Sequence, residues 1–417
     1  MDNARHSRSN SIDFFAKRPL APHIDAYTQH LIERGYASST VAAYVGGAVH
    51  FAQWAHHKRT GIRRIDEAAV ARFLNDHLPH CDCAGSGRHH RKDLSAALGH
   101  LLVVLRARGV IDQMPMNSTP SAQELRRFDE HMDHVCGLAP ATRRMYLGIV
   151  RLLLAHRFGD GPVIISAIKP AHVRRFFAQQ CKHYSKPANA GVVVTALRGY
   201  FRYRTSRGDA VHGLIGAVSY PANWQLASLP KALTVEEVAQ LANTLGQPGH
   251  GLLRADAIVR CALDLGLRSG EIARLGLDDI DWHAGTITLR RTKGRREDVL
   301  PLPASTGQAI AAYLKHERPK TSHRAVFVRR YAPRDEPIGP DLVRKTIRQA
   351  YARAGLPYTR SHLLRHTMAS RLLEGGSSLK EVADVLRHRS LNTTLIYAKL
   401  DSRNLREVAL PWPGDAA

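Results

Sequence analysis

Residues 361–397 read SHLLRHTMASRLLEGGSSLKEVADVLRHRSLNTTLIY. Four polar residues punctuate this helix-like stretch. His362 and Arg365 stand three apart, and His388 precedes Tyr397 by nine. Working back along the chain, the string TKGRR carries Lys293 and GLRSGE carries Arg268. The ordered set Arg268, Lys293, His362, Arg365, His388, Tyr397 is what metal-free phosphoryl transfer through a tyrosine needs. Planar guanidiniums match the non-bridging oxygens of a phosphodiester with bidentate, charge-assisted bonds. Lysine and histidine handle protons. A phenol, whose ordinary pKa is about 10, attacks only with a base nearby and within a positive field. Each string alone is weak, and all of them in this order are hard to obtain by chance. Glu271, one turn from Arg268, reads as the carboxylate that orients it.

These strings resemble the tyrosine recombinases, the group of Xer-type recombinases and phage or transposon integrases. The resemblance is strong over residues 229–417 and looser over 121–218, the family's helical core-binding module. In the family pattern the first arginine opens a G-L-R-x-x-E helix, matched by Arg268 and Glu271. The lysine lies in a hairpin turn, matched by Lys293. The H-x-x-R pair is matched by His362 and Arg365, and the late histidine by His388. The resemblance implies that Arg268 and Arg365 clamp the phosphate, His362 is the base and Lys293 is the general acid for the leaving 5′-oxygen. His388 then hydrogen-bonds the phosphate, and Tyr397 attacks to give a 3′-phosphotyrosyl enzyme. No cofactor is implied, neither ATP nor metal. One departure is visible. The family often has glycine before the late histidine, and this chain has Arg387. A loop requiring φ > 0 there is strained by arginine.

The implied function is site-specific recombination or integration through a Holliday junction. The implied partner is double-stranded DNA with paired recombination sites. The implied assembly is a homo-tetramer on DNA, monomer or dimer when free, with a second recombinase as a candidate partner. A type IB topoisomerase shares the chemistry but acts alone on one duplex. A catalytically silent DNA-binding regulator is the reading from another class. Intact Arg268, Arg365 and Tyr397 argue against silence, and the duplicated helical front and short tail favour the recombinase.

Composition agrees. The chain of 417 residues carries 60 Lys+Arg against 36 Asp+Glu, a net charge of +24. That excess implies an extended polyanion as partner. No run approaches ~18 apolar residues, so no membrane span is expected. The N-terminus lacks the apolar core of a secretory signal, and five cysteines fit reduced thiols in a cytoplasmic protein.

The first half contains an internal repeat. Gly35, Thr40 and Tyr44 recur as Gly137, Thr142 and Tyr146. Ile65, Val70 and Phe73 recur as Ile168, Val173 and Phe176, and Ala97-Leu98 as Ala196-Leu197. So small a drift over a whole module argues for duplication of one helical unit. Leu125, Phe128 and Met132 form one apolar stripe, and Tyr146, Val150 and Leu153 another. Downstream, Thr234 and Glu237 have capping-box spacing. ITLRRTKGRREDVLPLP alternates on both sides of a Lys-Gly turn, as a hairpin does. A helix is expected over 340–354, with Pro340 in its first turn and Gly355 past its end.

The fold class is therefore mostly α with a small β-sheet. A mixed α/β tyrosine-recombinase catalytic domain follows two helical SAM-like core-binding-type repeats. The expected boundaries are a flexible N-terminus (1–20), a first repeat (21–117), a core-binding repeat (118–218), a linker (219–230) and the catalytic domain with its tail (231–417). Arg144 with Arg151, Arg198 with Arg202, and Arg344 with Arg348 lie one or two turns apart on helices and suit a clamp on duplex DNA. Most such contacts go to phosphates. Leu405, Val408, Ala409 and Trp412 give the tail one apolar face, which must dock because so short a helix is not stable alone. Cys81, Cys83, His89 and His90 invite a metal reading, but one residue between the cysteines is tighter than the usual two to four. They are read as a non-metal loop.

Overall fold

The two halves of the internal repeat fold into the same succession of elements in this computed structural model. The first runs through helices Ala21–Glu33 and Ser38–His57, a 3₁₀ turn Ile62–Arg64, and helices Glu67–Arg72 and Arg91–Ala107. The second repeats this order as Pro120–Glu130, Pro140–Phe158, Ile165–Ala167, Pro170–Cys181 and Gly191–Ser206. The recurring residues explain why. Gly35 and Gly137 take φ of +76° and +58° just past the first helix of each module, where a side chain is disfavoured. Val70 and Val173, Phe73 and Phe176, and Leu98 and Leu197 are buried in the two cores. The structure describes residues 20–81, 83, 90–112, 119–184, 187–222, 231–246, 249, 251–290, 297–334, 336–388 and 394–400. Lys293, His89, most of the linker and the tail with Leu405, Val408, Ala409 and Trp412 lie outside them.

The first helical module and the C-terminal part fall in one compact unit, and the second module forms the other. In the structure the Arg34 carbonyl accepts a bond from the Arg334 backbone N–H at 3.1 Å. The Arg34 guanidinium meets Glu336 at 3.3 Å. In the second module, Leu125, Phe128, Met132, Val150 and Leu153 line the core. Buried Glu124 accepts bonds from the Tyr200 hydroxyl at 2.9 Å and from Arg204 at 3.0 Å.

The C-terminal part starts where its sequence signals place it. The Glu237 backbone N–H donates to Thr234 Oγ1 at 3.2 Å, and the Thr234 N–H donates to Glu237 Oε2 at 3.0 Å, closing the capping box of helix Val235–Ala242. Three antiparallel strands follow, β1 (Ile280–Asp281), β2 (Thr286–Leu289) and β3 (Asp298–Pro301), in the order β1-β2-β3. The described hairpin pairing ends at Leu289 opposite Asp298. Ile287 and Leu289 turn into a core shared with Ile258, Ile272, Phe327, Ile347 and Leu364. Helix Pro340–Arg353 begins on Pro340 and stops before Gly355, whose φ is +66°. Helices His362–Glu374 and Leu379–Val385 complete the described scaffold, and a 3₁₀ segment Leu395–Leu400 carries the tyrosine.

Candidate active site

Glycine sets the geometry of the first string. Gly266 in GLRSGE has φ +58°, and a Cβ there would meet the Met368 sulfur at 2.6 Å and Leu386 Cδ2 at 3.0 Å. Only glycine lets this turn press against helix His362–Glu374. The close approach brings the Gly266 carbonyl onto the Arg365 guanidinium, which also donates to the Leu386 carbonyl. Arg365 is 4% exposed and is thus fixed between two backbone segments. Burial and the cations Arg268 and Arg387 push its pKa down to about 9, against the pull of Glu271 and Tyr397. It remains cationic at neutral pH.

Arg268 caps the short helix Ser269–Arg274. Glu271 accepts from the Arg268 backbone N–H and from its Nη1, both at 2.8 Å. The orienting role expected of Glu271 thus has its geometry. The Ser269 and Ser361 hydroxyls meet at 3.0 Å and tie this helix to the one bearing Arg365.

Arg387, the departure from the family pattern, does take φ +55°. Its guanidinium turns inward and donates to Glu271 Oε2 at 3.0 Å, with both side chains about 5% exposed or less. Glu271 therefore holds two guanidiniums at once. Burial alone would raise its carboxyl pKa. Arg387, the Arg268 N–H and the Arg268 guanidinium more than offset that and hold it below the ordinary value. Sequence gives Arg387 only as a misfit; its ion pair depends on a partner 116 residues away.

Tyr397 lies in the core with Ala369, Val382 and Leu386 and is 1% exposed. Its hydroxyl is 2.5 Å from His366 Nδ1. Burial pushes the phenol up to about 12 even though Arg365 pulls it down. Burial, His362 and Arg365 push His366 down to about 4. A neutral imidazole thus faces a protonated phenol, and Tyr397 donates. His366 follows Arg365 directly, yet nothing in its spacing marks it as the residue that meets the tyrosine.

His388 is likewise held down to about 4, by burial and then by Arg365 and Arg268. Its Nδ1 meets Thr394 Oγ1 at 2.7 Å. His362 opens its helix, and burial, Arg365, Arg268 and Arg344 keep its pKa below normal. The structure brings Arg268, His362, Arg365, His388 and Tyr397 together. Lys293 belongs to the β2–β3 connection outside the described residues. Arg344 and Arg348 are exposed on their helix, as are Arg144, Arg151 and Arg202 in the second module. Arg198 is committed locally: it donates to the Val218 carbonyl at 2.8 Å and lies over the Tyr220 ring.

Comparison with known proteins turns this constellation into a lineage. A putative integrase/recombinase of Sinorhizobium fredii is 36% identical over 403 residues, covering 95% of this chain and 96% of its own. The chain belongs to the phage integrase family of tyrosine recombinases. The model of that family, described as the phage integrase family, matches residues 231–403 of this recombinase. The model described as the phage integrase N-terminal SAM-like domain matches residues 24–102. Sequence places the core-binding resemblance on the second module; the family match falls on the first, as duplication of one unit allows. Tyrosine recombinase XerA of Thermococcus kodakarensis is 31% identical, covering 68% of this recombinase and 93% of the relative. Among solved structures, the fold is shared with a lambda integrase dimer bound to a core site. The TM-score is 0.51 at 16% identity, over 70% of this chain and 98% of that one. XerH bound to its difH substrate has the same TM-score at 20% identity, over 74% and 93%. The chain is a tyrosine-type site-specific recombinase.

Proposed function

We propose that Tyr397 is the nucleophile with which this recombinase cuts and rejoins DNA strands. One observation carries the assignment: the Tyr397 hydroxyl sits 2.5 Å from a neutral histidine, in the field of Arg365. Arg365 and Arg268 hold the non-bridging oxygens of the scissile phosphate, where preorganised donors of this kind are each worth about 10²–10³ in rate. Glu271 and Arg387 keep Arg268 in place. His366 holds the phenol at rest. When Tyr397 reaches the phosphate, its oxygen bonds to phosphorus, its proton passes to His362 and the bond to the 5′-oxygen breaks. Lys293 protonates that leaving oxygen, and His388 bonds the phosphate. The phosphotyrosyl bond retains the phosphodiester energy, so a second 5′-hydroxyl reverses the step without ATP.

The DNA lies against Arg144, Arg151, Arg202, Arg344 and Arg348, with Arg198 as a flanking cation. Paired sites are joined in a homo-tetramer that exchanges strands through a Holliday junction, and a second recombinase is a candidate partner. The test is Tyr397→Phe on a suicide substrate nicked beside the scissile phosphate. The variant is expected to bind DNA like the wild type but to form no SDS-resistant adduct. An equal adduct from the variant would assign the nucleophile elsewhere. Catalytic relaxation of supercoiled DNA lacking a recombination site would favour a topoisomerase instead.

A further inference from the structure

Four soft donor atoms converge in the first helical module, apart from the tyrosine chemistry. His50 stands on helix Ser38–His57, and His77 ends the π-helical turn Phe73–His77. Cys81 and Cys83 follow the 3₁₀ turn Leu78–His80. His50 Nε2 is 3.2 Å from His77 Nε2 and 3.2 Å from Cys81 Sγ. Cys83 Sγ is 3.7 Å from His77 Nε2. All four donor atoms lie within 4.8 Å of one another.

Hydrogen bonding accounts for this convergence only in part. A ring nitrogen carries one proton or one lone pair, not both. Nε2 of His50 can make one well-directed bond to one of its two close neighbours and reaches the other only through a weaker, shared three-centre contact. A cation at the centre satisfies all four donors together. A tetrahedron with Zn–S of about 2.3 Å and Zn–N of about 2.0–2.1 Å has edges of about 3.3–3.8 Å. The three close approaches, 3.2, 3.2 and 3.7 Å, sit at that scale. The donor set contains no carboxylate. Two sulfurs and two imidazoles select Zn²⁺ over hard cations, and four protein ligands make a closed, structural site.

The surroundings fit. His50 is 5% exposed, and its ring packs edge-on against Phe73 at 5.1 Å. Trp54 closes on the same phenylalanine at 5.5 Å. The Cys83 backbone N–H donates to the Cys81 sulfur at 3.4 Å, the outer-shell bond that steadies a thiolate ligand. Sequence pairs the cysteines with His89 and His90, which follow them. The fold supplies histidines that precede them instead, one from a helix 31 residues upstream of Cys81. His90 is exposed and leads into helix Arg91–Ala107.

We propose that His50, His77, Cys81 and Cys83 form a structural Zn²⁺ site that pins the segment after residue 77 to helix Ser38–His57. The test uses the full-length protein, prepared without a polyhistidine tag. Elemental analysis by mass spectrometry is expected to find one zinc per chain. After chelation, titration with Co²⁺ is expected to give the visible bands of a tetrahedral ion and sulfur-to-metal charge transfer. Cys83→Ser, which alters an exposed thiol and so spares the core, should bind Co²⁺ roughly tenfold or more weakly and lose charge-transfer intensity. His50→Ala should abolish binding, but its burial makes Cys83→Ser the deciding variant. Wild-type protein free of zinc, with a Co²⁺ spectrum unchanged by Cys81→Ser or Cys83→Ser, would overturn the proposal. So would a disulfide between the two cysteines in freshly purified protein.

Discussion

Arg387 holds a left-handed backbone conformation that costs a non-glycine residue about 1–2 kcal/mol, and it ends in a buried ion pair with Glu271. Breaking a buried pair typically costs about 3–5 kcal/mol, so the pair outweighs the strain. Arg387→Gly, although it restores an unstrained backbone, is expected to lower unfolding stability in urea by about 1–4 kcal/mol. A more stable glycine variant would show that strain dominates. The buried histidines add a pH dependence. His366 and His388 fall from 6.5 to about 4 on folding. Between those values the unfolded chain binds more protons, so their contribution is fully present above 6.5 and is lost as pH falls to about 4. Urea titrations across that window should show falling stability, less steeply in His366→Gln. That Arg268, Arg365 and Tyr397 come together was legible because each lies in a fixed local string. His366 and Arg387 were not: the first meets Tyr397 only when segment Leu395–Leu400 packs on helix His362–Glu374, and the second meets Glu271 from 116 residues away.

Helix Pro340–Arg353 shows what legibility means for an element. Proline at its start and glycine beyond its end were readable; Val343, Ile347 and Ala350 form its buried face. The reach of its exposed face was not. Arg344 pairs with Asp341 and depresses His362, a coupling that depends on how this helix lies beside the next. Arg344→Ala is expected to raise the His362 pKa toward its ordinary value, measurable by NMR titration of the imidazole. If Arg344 also grips a DNA phosphate, the salt dependence of binding should flatten by about 0.9. An unmoved His362 would place Arg344 outside the site. The β2–β3 hairpin was readable as alternation, and the structure pairs Thr286–Leu289 with Asp298–Pro301 in antiparallel register.

At the scale of the whole chain, the duplication was legible because both copies keep the residues that shape a helical module. The grouping of those modules was not. The Arg34–Glu336 ion pair joins residues 302 apart, and no periodicity encodes such a pairing. Deleting the residues before Ser121 is expected to leave a protein that still cleaves a core site but binds a full recombination region more weakly. Its salt dependence should be flatter by about 0.9 for each phosphate the shortened chain no longer neutralises. Filter binding across a salt series measures both. Unchanged slope and affinity would remove the first module from the DNA, and aggregation would show that it supports the fold of the catalytic part.

Latency follows from the burial of Tyr397. A phenol held at about 12 is ionised in only about one molecule in 10⁵ at neutral pH, and its oxygen faces a histidine inside the protein rather than solvent. A basic protein of this kind spends most of its time sliding over DNA that is not its target. On the proposed assignment of Tyr397, a buried nucleophile would leave DNA unbroken in those encounters. If Tyr397 is the nucleophile proposed above, nicking requires that binding at a proper site draw the 3₁₀ segment Leu395–Leu400 out of its seat, which would let target choice govern damage before any bond is made.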